Sequence, residues 1–350
     1  MGGAARRGRI GVTEKALRSF LDETLGGSEE VTVTPMAGGG SCDVFTVDRG
    51  RAHWVLRRAP SHATSATAHN VLREYRILDA IKDQSVPIAR PVLSCADVEV
   101  FDGPFYLMDR IEGTPIRTSV PPAWASHPDQ HGRALEELID ALVAIHAVDW
   151  AACGLGDMAH EGPYLPRQVT RWLGQLDSYG GRDLPAAQHV AAWLAAHLPA
   201  DQARTLYHGD YKLDNVMYAP DLPPRLLAVV DWEMAGIGDP LVDLAWALIF
   251  HPGPEGTMPL GMGRSPTFAL EWVPDRQALI NRYAQRSGRE VGDLSWYDVF
   301  ARWKLAIALE GGYVKFLHGL SDKPIHEFFG RQAELLLGSA TIIIERGDTP

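Results

Sequence analysis

Residues 206–217 read "LYHGDYKLDNVM", with His208, Gly209, Asp210, Lys212 and Asn215 close together. How this stretch is read decides the fold. A solvated turn closed by an Asx hydrogen bond is one account of such polar density. The spacing offers another, because Asp210 and Asn215 are set apart by four residues, about one turn of a loop. In that account Asp210 accepts or orients the proton of an attacking hydroxyl, and Asn215 holds Mg²⁺. Lys212, two residues past the aspartate, neutralises a phosphoryl group in flight.

Working outward, the next informative stretch lies downstream: "LLAVVDWEMAGIGDPLVDLA", residues 226–245. Its apolar run stops at Asp231 and so delivers a carboxylate at the end of a strand, where Mg²⁺ ligands are commonly held. Gly238-Asp239-Pro240 then opens a helix, with Asp239 as N-cap and Pro240 at the first position. Asp243, one turn in, reads as a structural acid that braces the loop backbone. Upstream, "MAGGGSCDVF" (36–45) puts Gly39, Gly40 and Ser41 in a turn between strands. Backbone N–H groups of such a turn can cover phosphates, although a hairpin turn needs no further purpose. Arg57 in "WVLRR" and Glu74 in the following helix form either a surface ion pair or a cation and its holder aimed at the phosphates of ATP.

The elements between these points follow from periodicity. "TEKALRSFLDETLG" (13–26) reads as an amphipathic helix capped by Thr13, behind a flexible basic arm over residues 1–12. "VTVTPM", "DVFTVD" and "AHWVLRR" alternate as strands, as do "ARPVLSC" and "PFYLMDRI". In "TAHNVLREYRILDAIKD" (67–83), Val71, Leu72, Tyr75, Leu78 and Ile81 recur at helical spacing. From about residue 120 the chain is helical over 130–147, 167–178, 184–197, 239–250, 274–287, 293–319 and 323–345, with short strands at "NVMY" and "RLLAVVD". The expectation is an α+β chain with a small antiparallel-sheet lobe over 13–110 and a larger, mostly helical lobe over 111–350. The second holds the loop 206–217, the segment 226–245 and the helices of 251–345.

Composition narrows the partners. At 350 residues with 46% hydrophobic content, the chain can bury a sizeable core. The net charge of −11 sits mostly in residues 111–250, with 8 basic and 18 acidic residues. Without a basic stripe, such a chain is not expected to bind nucleic acid. No apolar run is long enough for a membrane span, and "MGGAARRGRI" is not a secretory signal. Three scattered cysteines with no C-x-x-C pair point to a reducing compartment, the cytoplasm by default.

Glycine turn, strand cation, helix acid, H-G-D-x4-N, then strand aspartate is the part order of the protein-kinase phosphoryl-transfer machine. "YHGDYKLDNVM" and "VVDWEMAGIGDPLVDLA" resemble the aminoglycoside phosphotransferase and choline kinase family. Within it the chain looks most like the branch that includes kinase-like domains fused to acyl-CoA dehydrogenases. "WVLRR", "REYRIL", "PFYLMDRIEG", "IHAVDW", "GLGD" and "GPYLPRQVTRW" carry that likeness from about 12 to 340. The resemblance implies a bilobal kinase-like fold and dependence on ATP and Mg²⁺. It implies Asp210 as base or orienter, Asn215 and Asp231 as Mg²⁺ ligands, and Glu74 as helix acid. "LMDRIEG" (107–113), with Asp109 and Ile111, becomes the hinge whose backbone bonds adenine. Arg57 stands where the family has lysine, and a planar fork is not a point charge.

The acceptor is a small-molecule hydroxyl. The absence of an A-P-E ending after Asp231 speaks against a protein kinase. An antibiotic kinase and a catalytically silent nucleotide-binding module remain as alternatives. Residues 251–350 are nearly neutral, and "LSWYDVFARWKLAIALEGGYVKFLHG" is rich in aromatics. They read as helix-packing core or as the wall of a pocket for an apolar acceptor such as a hydroxyacyl-CoA. Arg264, Arg302, Lys304 and Lys315 are candidate contacts for its phosphates.

Overall fold

In Val31–Pro35 (β1), Asp43–Arg49 (β2) and Ala52–Arg58 (β3), β-branched and aromatic residues alternate with polar ones, and the three segments pair antiparallel. Phe105–Asp109 (β5) adds to β3, and Pro91–Cys95 (β4) to β5, giving the order β1-β2-β3-β5-β4. The computed structural model describes residues 2–36, 42–59, 71–117, 119–200, 202–251, 268, 270–321 and 323–347. These divide into one unit of Met1–Gly113 with Leu227–Ala235, and another of Thr114–Leu226 with Gly236–Pro350.

Alternation gives the sheet of the first unit two different faces. Phe45, Val47, Leu56, Leu93, Phe105 and Leu107 point one way and pack with Leu17 and Leu21 of the helix Gly2–Leu25 (α1). That helix takes in the residues read as a basic arm. Arg57 follows Leu56 and is Tyr106's cross-strand partner, so both fall on the opposite face with the helix Val71–Ile81 (α2). The buried positions of α2 are Val71, Glu74, Ile77, Leu78 and Ile81. Its buried face is therefore rotated from the apolar stripe expected through Leu72 and Tyr75, and it carries a carboxylate inward. A short helix, Val98–Phe101 (α3), links β4 to β5.

The segment 227–235 groups with this unit rather than with the helical one. Val229 donates its N–H to Pro87 O at 2.8 Å, and Ile88 bridges Val229 in parallel. Long-range backbone pairing overrides sequence neighbourhood here.

Helices dominate the second unit: His131–His146 (α4), Tyr164–Ser178 (α5), Pro185–Ala196 (α6), Pro240–Leu248 (α7), Arg276–Ser287 (α8), Ser295–Leu317 (α9) and Ile325–Gly347 (α10). Their positions follow the periodicity closely. Every residue of α7 is buried, as its apolar sequence requires, and that includes its one charged residue, Asp243. Of the aromatics in α9, Trp296, Tyr297, Phe300 and Trp303 are buried. Trp296 and Trp303 donate their indole N–H groups to backbone carbonyls, Leu194 O and Ala187 O. This part of the aromatic segment is packing core. Among the described residues, no helix is long and apolar enough to cross a membrane.

One pair of short strands matters for the site. The short strands of this region are Thr205–Tyr207 (β6), Val216–Tyr218 (β7), Leu226–Val229 (β8) and Gly236–Gly238 (β9), and β6 pairs antiparallel with β9. Because the polar loop follows β6 and α7 follows β9, the pair holds that loop at the start of α7. Gly238 allows the approach, since a Cβ there would lie 2.3 Å from the Tyr164 ring.

Candidate active site

In the first unit, three charged side chains meet. Arg57 Nη2 donates to Asp231 Oδ1 at 2.8 Å, and Arg57 Nε lies 3.2 Å from Glu74 Oε2. The second contact is an ion pair whose N–H is not aligned for a hydrogen bond. Glu74 Oε1 accepts the backbone N–H of Trp232 at 2.9 Å. From the same helix, Arg73 donates to the carbonyls of Glu233 and Ala235. Burial raises the Glu74 carboxyl above its ordinary range, against the opposing pull of Arg57. Burial works against the Arg57 charge as well, but Glu74, Tyr106 and Asp231 outweigh it and raise its pKa well above the usual value.

Asp231 has φ 68° and ψ 61°, the left-handed conformation, at the mouth of the 3-10 turn Trp232–Met234. Among non-glycine residues that geometry favours Asp and Asn, and strained backbone of this kind collects at functional sites. Its side chain is 31% exposed, against 2% for Glu74.

In the second unit, the loop after β6 wraps around Asp210. Gly209, at φ 86°, makes the left-handed turn that an L side chain rarely adopts. Lys212 Nζ donates to both Asp210 oxygens at 2.8 Å, and Asn215 Nδ2 donates to Oδ2 and to the backbone O, each at 2.8 Å. Trp246 of α7 adds its indole N–H to Oδ1 at 3.0 Å. Burial alone would raise the Asp210 carboxyl. The Lys212 charge and hydrogen bonds, with Lys304 and His208 behind them, hold it below the usual carboxylate range. Asp210 is thus an anion at neutral pH.

Asp243 braces the loop backbone, as expected from its position. Its carboxylate accepts the backbone N–H of His208 and, at 2.8 Å, that of Gly209. It is fully buried, with His146 Nε2 3.6 Å from Oδ2. Asp239 caps α7 through Leu241 N and accepts from Tyr297 Oη at 2.8 Å. The loop that presents Asp210 is therefore hung from a buried helix.

The structure brings Asp210, Lys212 and Asn215 together in one unit, and Arg57, Glu74 and Asp231 together in the other. Gly39, Gly40 and Ser41 lie outside the described residues, as does Arg264. Asp109 ends β5, its N–H engaged by Arg90 O, while the carbonyl of Ile111 accepts from Gly113. Lys304 is buried and bonded to Gly209 O, so it is not a surface contact for phosphate. Arg302 is engaged by Asp298 and Ser339, whereas Lys315 is exposed. Sequence reading missed Trp246 and Arg73. Nothing in an apolar helix marks one tryptophan as a donor to a loop.

The donor chemistry suits Mg²⁺. Asp231 offers a carboxylate, and Asn215 an amide oxygen at the other end of the group that holds Asp210. Mg²⁺ takes one or two such ligands together with phosphate oxygens. Among the described residues there is no cluster of three or more His, Cys, Asp or Glu fit for a metal.

Comparison with known proteins adds family and fold. The model of the phosphotransferase enzyme family matches residues 32–303. Acyl-CoA dehydrogenase family member 11 of Gallus gallus is 33% identical over 304 residues, covering 85% of this chain. This chain spans only 38% of that relative's length. A solved structure described as a putative aminoglycoside phosphotransferase from Ralstonia eutropha is 28% identical, with a TM-score of 0.78 over 94% of this chain and 98% of its own. Choline kinase of Cryptosporidium parvum, at 12% identity, has a TM-score of 0.61 over 97% of each chain and bears on the fold alone. The fold is α+β and kinase-like, as the sequence led one to expect.

Proposed function

Because the chain belongs to the phosphotransferase enzyme family, we propose that it transfers the γ-phosphoryl group of ATP, with Mg²⁺, to the hydroxyl of a small molecule. The observation that carries this reading is the ionised Asp210, held by Lys212, Asn215 and Trp246 on a loop tied to Asp243.

In this reading Asp210 accepts a hydrogen bond from the acceptor hydroxyl and takes its proton as the oxygen attacks phosphorus. The bond from the acceptor oxygen to the γ-phosphorus forms while the bond from that phosphorus to the bridging oxygen breaks, leaving ADP. Both Asp210 oxygens are engaged, and Lys212 is the flexible donor among their partners. Lys212 therefore yields its place to the hydroxyl and turns its charge to the transferred group. Arg57 and Glu74 orient the nucleotide phosphates, and Gly39, Gly40 and Ser41 cover them. Asp109 and Ile111 belong to the segment that meets adenine. Asn215 and Asp231 hold the metal, which when bound offsets charge on the phosphates.

For the acceptor, we favour an apolar alcohol, best a hydroxyacyl-CoA. Support comes from the surroundings of Asp210: Lys212 pairs with it and the buried Lys304 stands behind, a poor setting for several ammonium groups. An apolar hollow lined by Leu135, Leu138, Leu213, Ala247, Phe250 and Leu279 adjoins the loop through Leu213. The relatedness to acyl-CoA dehydrogenase family member 11 points the same way. The free thiols Cys42, Cys95 and Cys153 fit a reducing cytoplasm.

Purified protein with Mg·ATP and a panel of hydroxyacyl-CoAs, simple alcohols and aminoglycosides, read by mass spectrometry, tests this. The expected product is a phosphorylated hydroxyacyl thioester, 80 mass units heavier by the usual increment of about one phosphoryl group. Efficient phosphorylation of kanamycin, with kcat/KM above about 10⁴ M⁻¹s⁻¹ and no turnover of hydroxyacyl-CoAs, selects the antibiotic kinase instead. No transfer to any alcohol, with ATP still bound, selects the silent module.

A further inference from the structure

Lys304 belongs to α9, yet its ammonium ends at the loop that carries Asp210. The residue is 5% exposed, and Nζ donates to the carbonyl oxygen of Gly209. Two indoles flank it, Trp246 with its ring centroid 3.9 Å from Nζ and Trp172 at 5.6 Å. Trp246 in turn donates its own N–H to Asp210 Oδ1 at 3.0 Å.

A buried cation is costly unless its surroundings compensate it, and an aliphatic side chain would fill the same space without that cost. What the cation does here is legible from its partners. Gly209 is the freest residue of the loop, and both of its peptide groups are held: the N–H by Asp243, the carbonyl by Lys304. Lys212 and Asn215 ride on the same loop as Asp210 and cannot fix its direction relative to the helices. Trp246 can, because it stands on α7, and the ammonium over its face holds the indole in place.

We propose that Lys304 is a positioning residue for phosphoryl transfer, holding the Gly209 carbonyl and the Trp246 indole so that Asp210 meets the acceptor hydroxyl in one direction. This rests on the reading of Asp210 as the base.

The arrangement has a pH signature. Burial lowers the Lys304 pKa to about 8, against the raising pull of Asp210 and Asp243 and with the help of Arg171 and Lys212. Those four groups come from α5, α7 and the loop. Above that pH the ammonium is lost, and with it the cation over Trp246.

The test uses the full chain and its hydrolysis of Mg·ATP, water standing in for the acceptor. Lys304→Met keeps an unbranched side chain of nearly the same length and removes charge and donor. It should lower kcat by about 10²-fold, the scale of a misplacement near 1 Å, with little change in KM for ATP. Independently of activity, the indole N–H resonance of Trp246, identified by its loss in Trp246→Phe, should titrate with a midpoint near 8 in the parent protein. In Lys304→Met it should be flat. A resonance that titrates alike in both, or an unchanged kcat in folded Lys304→Met while Asp210→Asn is inactive, overturns the proposal and leaves the base reading standing. Parent-like turnover in Asp210→Asn removes the base reading and this proposal with it. Should Lys304→Met fail to fold, Trp246→Phe carries the test. It keeps a ring beneath the ammonium and loses the donor, so parent-like kcat in that variant also overturns the proposal.

Discussion

Glu74 on α2 accepts the backbone N–H of Trp232 at 2.9 Å, across 158 positions of sequence. With Arg57 beside Glu74 and bonded to Asp231, this joins strand, helix and the 227–235 segment into one buried unit. The arginine thus serves two carboxylates, which a lysine in the same place serves less well.

Removing Arg57 should therefore damage fold and nucleotide binding together. Arg57→Ala leaves Glu74 buried without its cation, and losing one member of such a pair costs about 3–5 kcal/mol. Urea denaturation should show that loss, and surviving protein should have a raised KM for ATP. Arg57→Lys should fall between. If it matches the parent in both measurements, the fork geometry is dispensable.

Asp210→Asn should leave folding nearly intact and lower kcat by about 10²–10⁴-fold, the usual contribution of a positioned base. Because Asp210 is held below the ordinary carboxylate range, its ionisation should not limit the rate between pH 5 and 8. An acid limb at about pH 6 that vanishes in Asp210→Asn would contradict the structure.

Asp243 should matter for stability and for turnover. In Asp243→Ala two buried backbone N–H groups lose their acceptor, at about 1–3 kcal/mol each. Burial would raise this carboxyl, but His146 and the N–H of His208 hold it below the ordinary value. A depressed folded pKa gives stability that is present above the unfolded pKa of about 3.9 and lost as pH falls through the folded one. The gap in stability between the parent and Asp243→Ala should thus hold above neutral pH, widen through the imidazole range because Asp243 favours the His146 cation, and close once the carboxylate is protonated. A gap that does not close at the most acid pH rules this assignment out.

Substitutions at Asp231 should separate metal binding from folding. Its left-handed backbone suits Asn as well as Asp, so Asp231→Asn should cost no more than about 1 kcal/mol. Asp231→Ala should cost more, because strain is added to the lost ion pair. Both should abolish turnover at ordinary Mg²⁺ levels. Persistence of turnover in either would take Asp231 out of the metal site.

The sequence by itself determined the local features of this protein. Helical and strand periodicity located α4 to α10 and the five-stranded sheet, because those repeats follow from backbone geometry within a few residues. The H-G-D-x4-N spacing marked the loop, since a turn of that length must bring Asn215 back onto Asp210, as it does. The tertiary structure decided what each residue meets across the chain. Periodicity said nothing of β6 and β9, only three residues each and partly glycine, although their pairing hangs the loop on α7. The apolar stripe of α2 shared Val71, Leu78 and Ile81 with the buried face, but nothing local marked Glu74 on that face as the holder of Arg57. Lys304 read as a candidate phosphate contact, and nothing singled out Trp246. Their roles come from α5, α7 and α9 packing about Gly209 and Asp210, a meeting of distant segments that no local preference encodes.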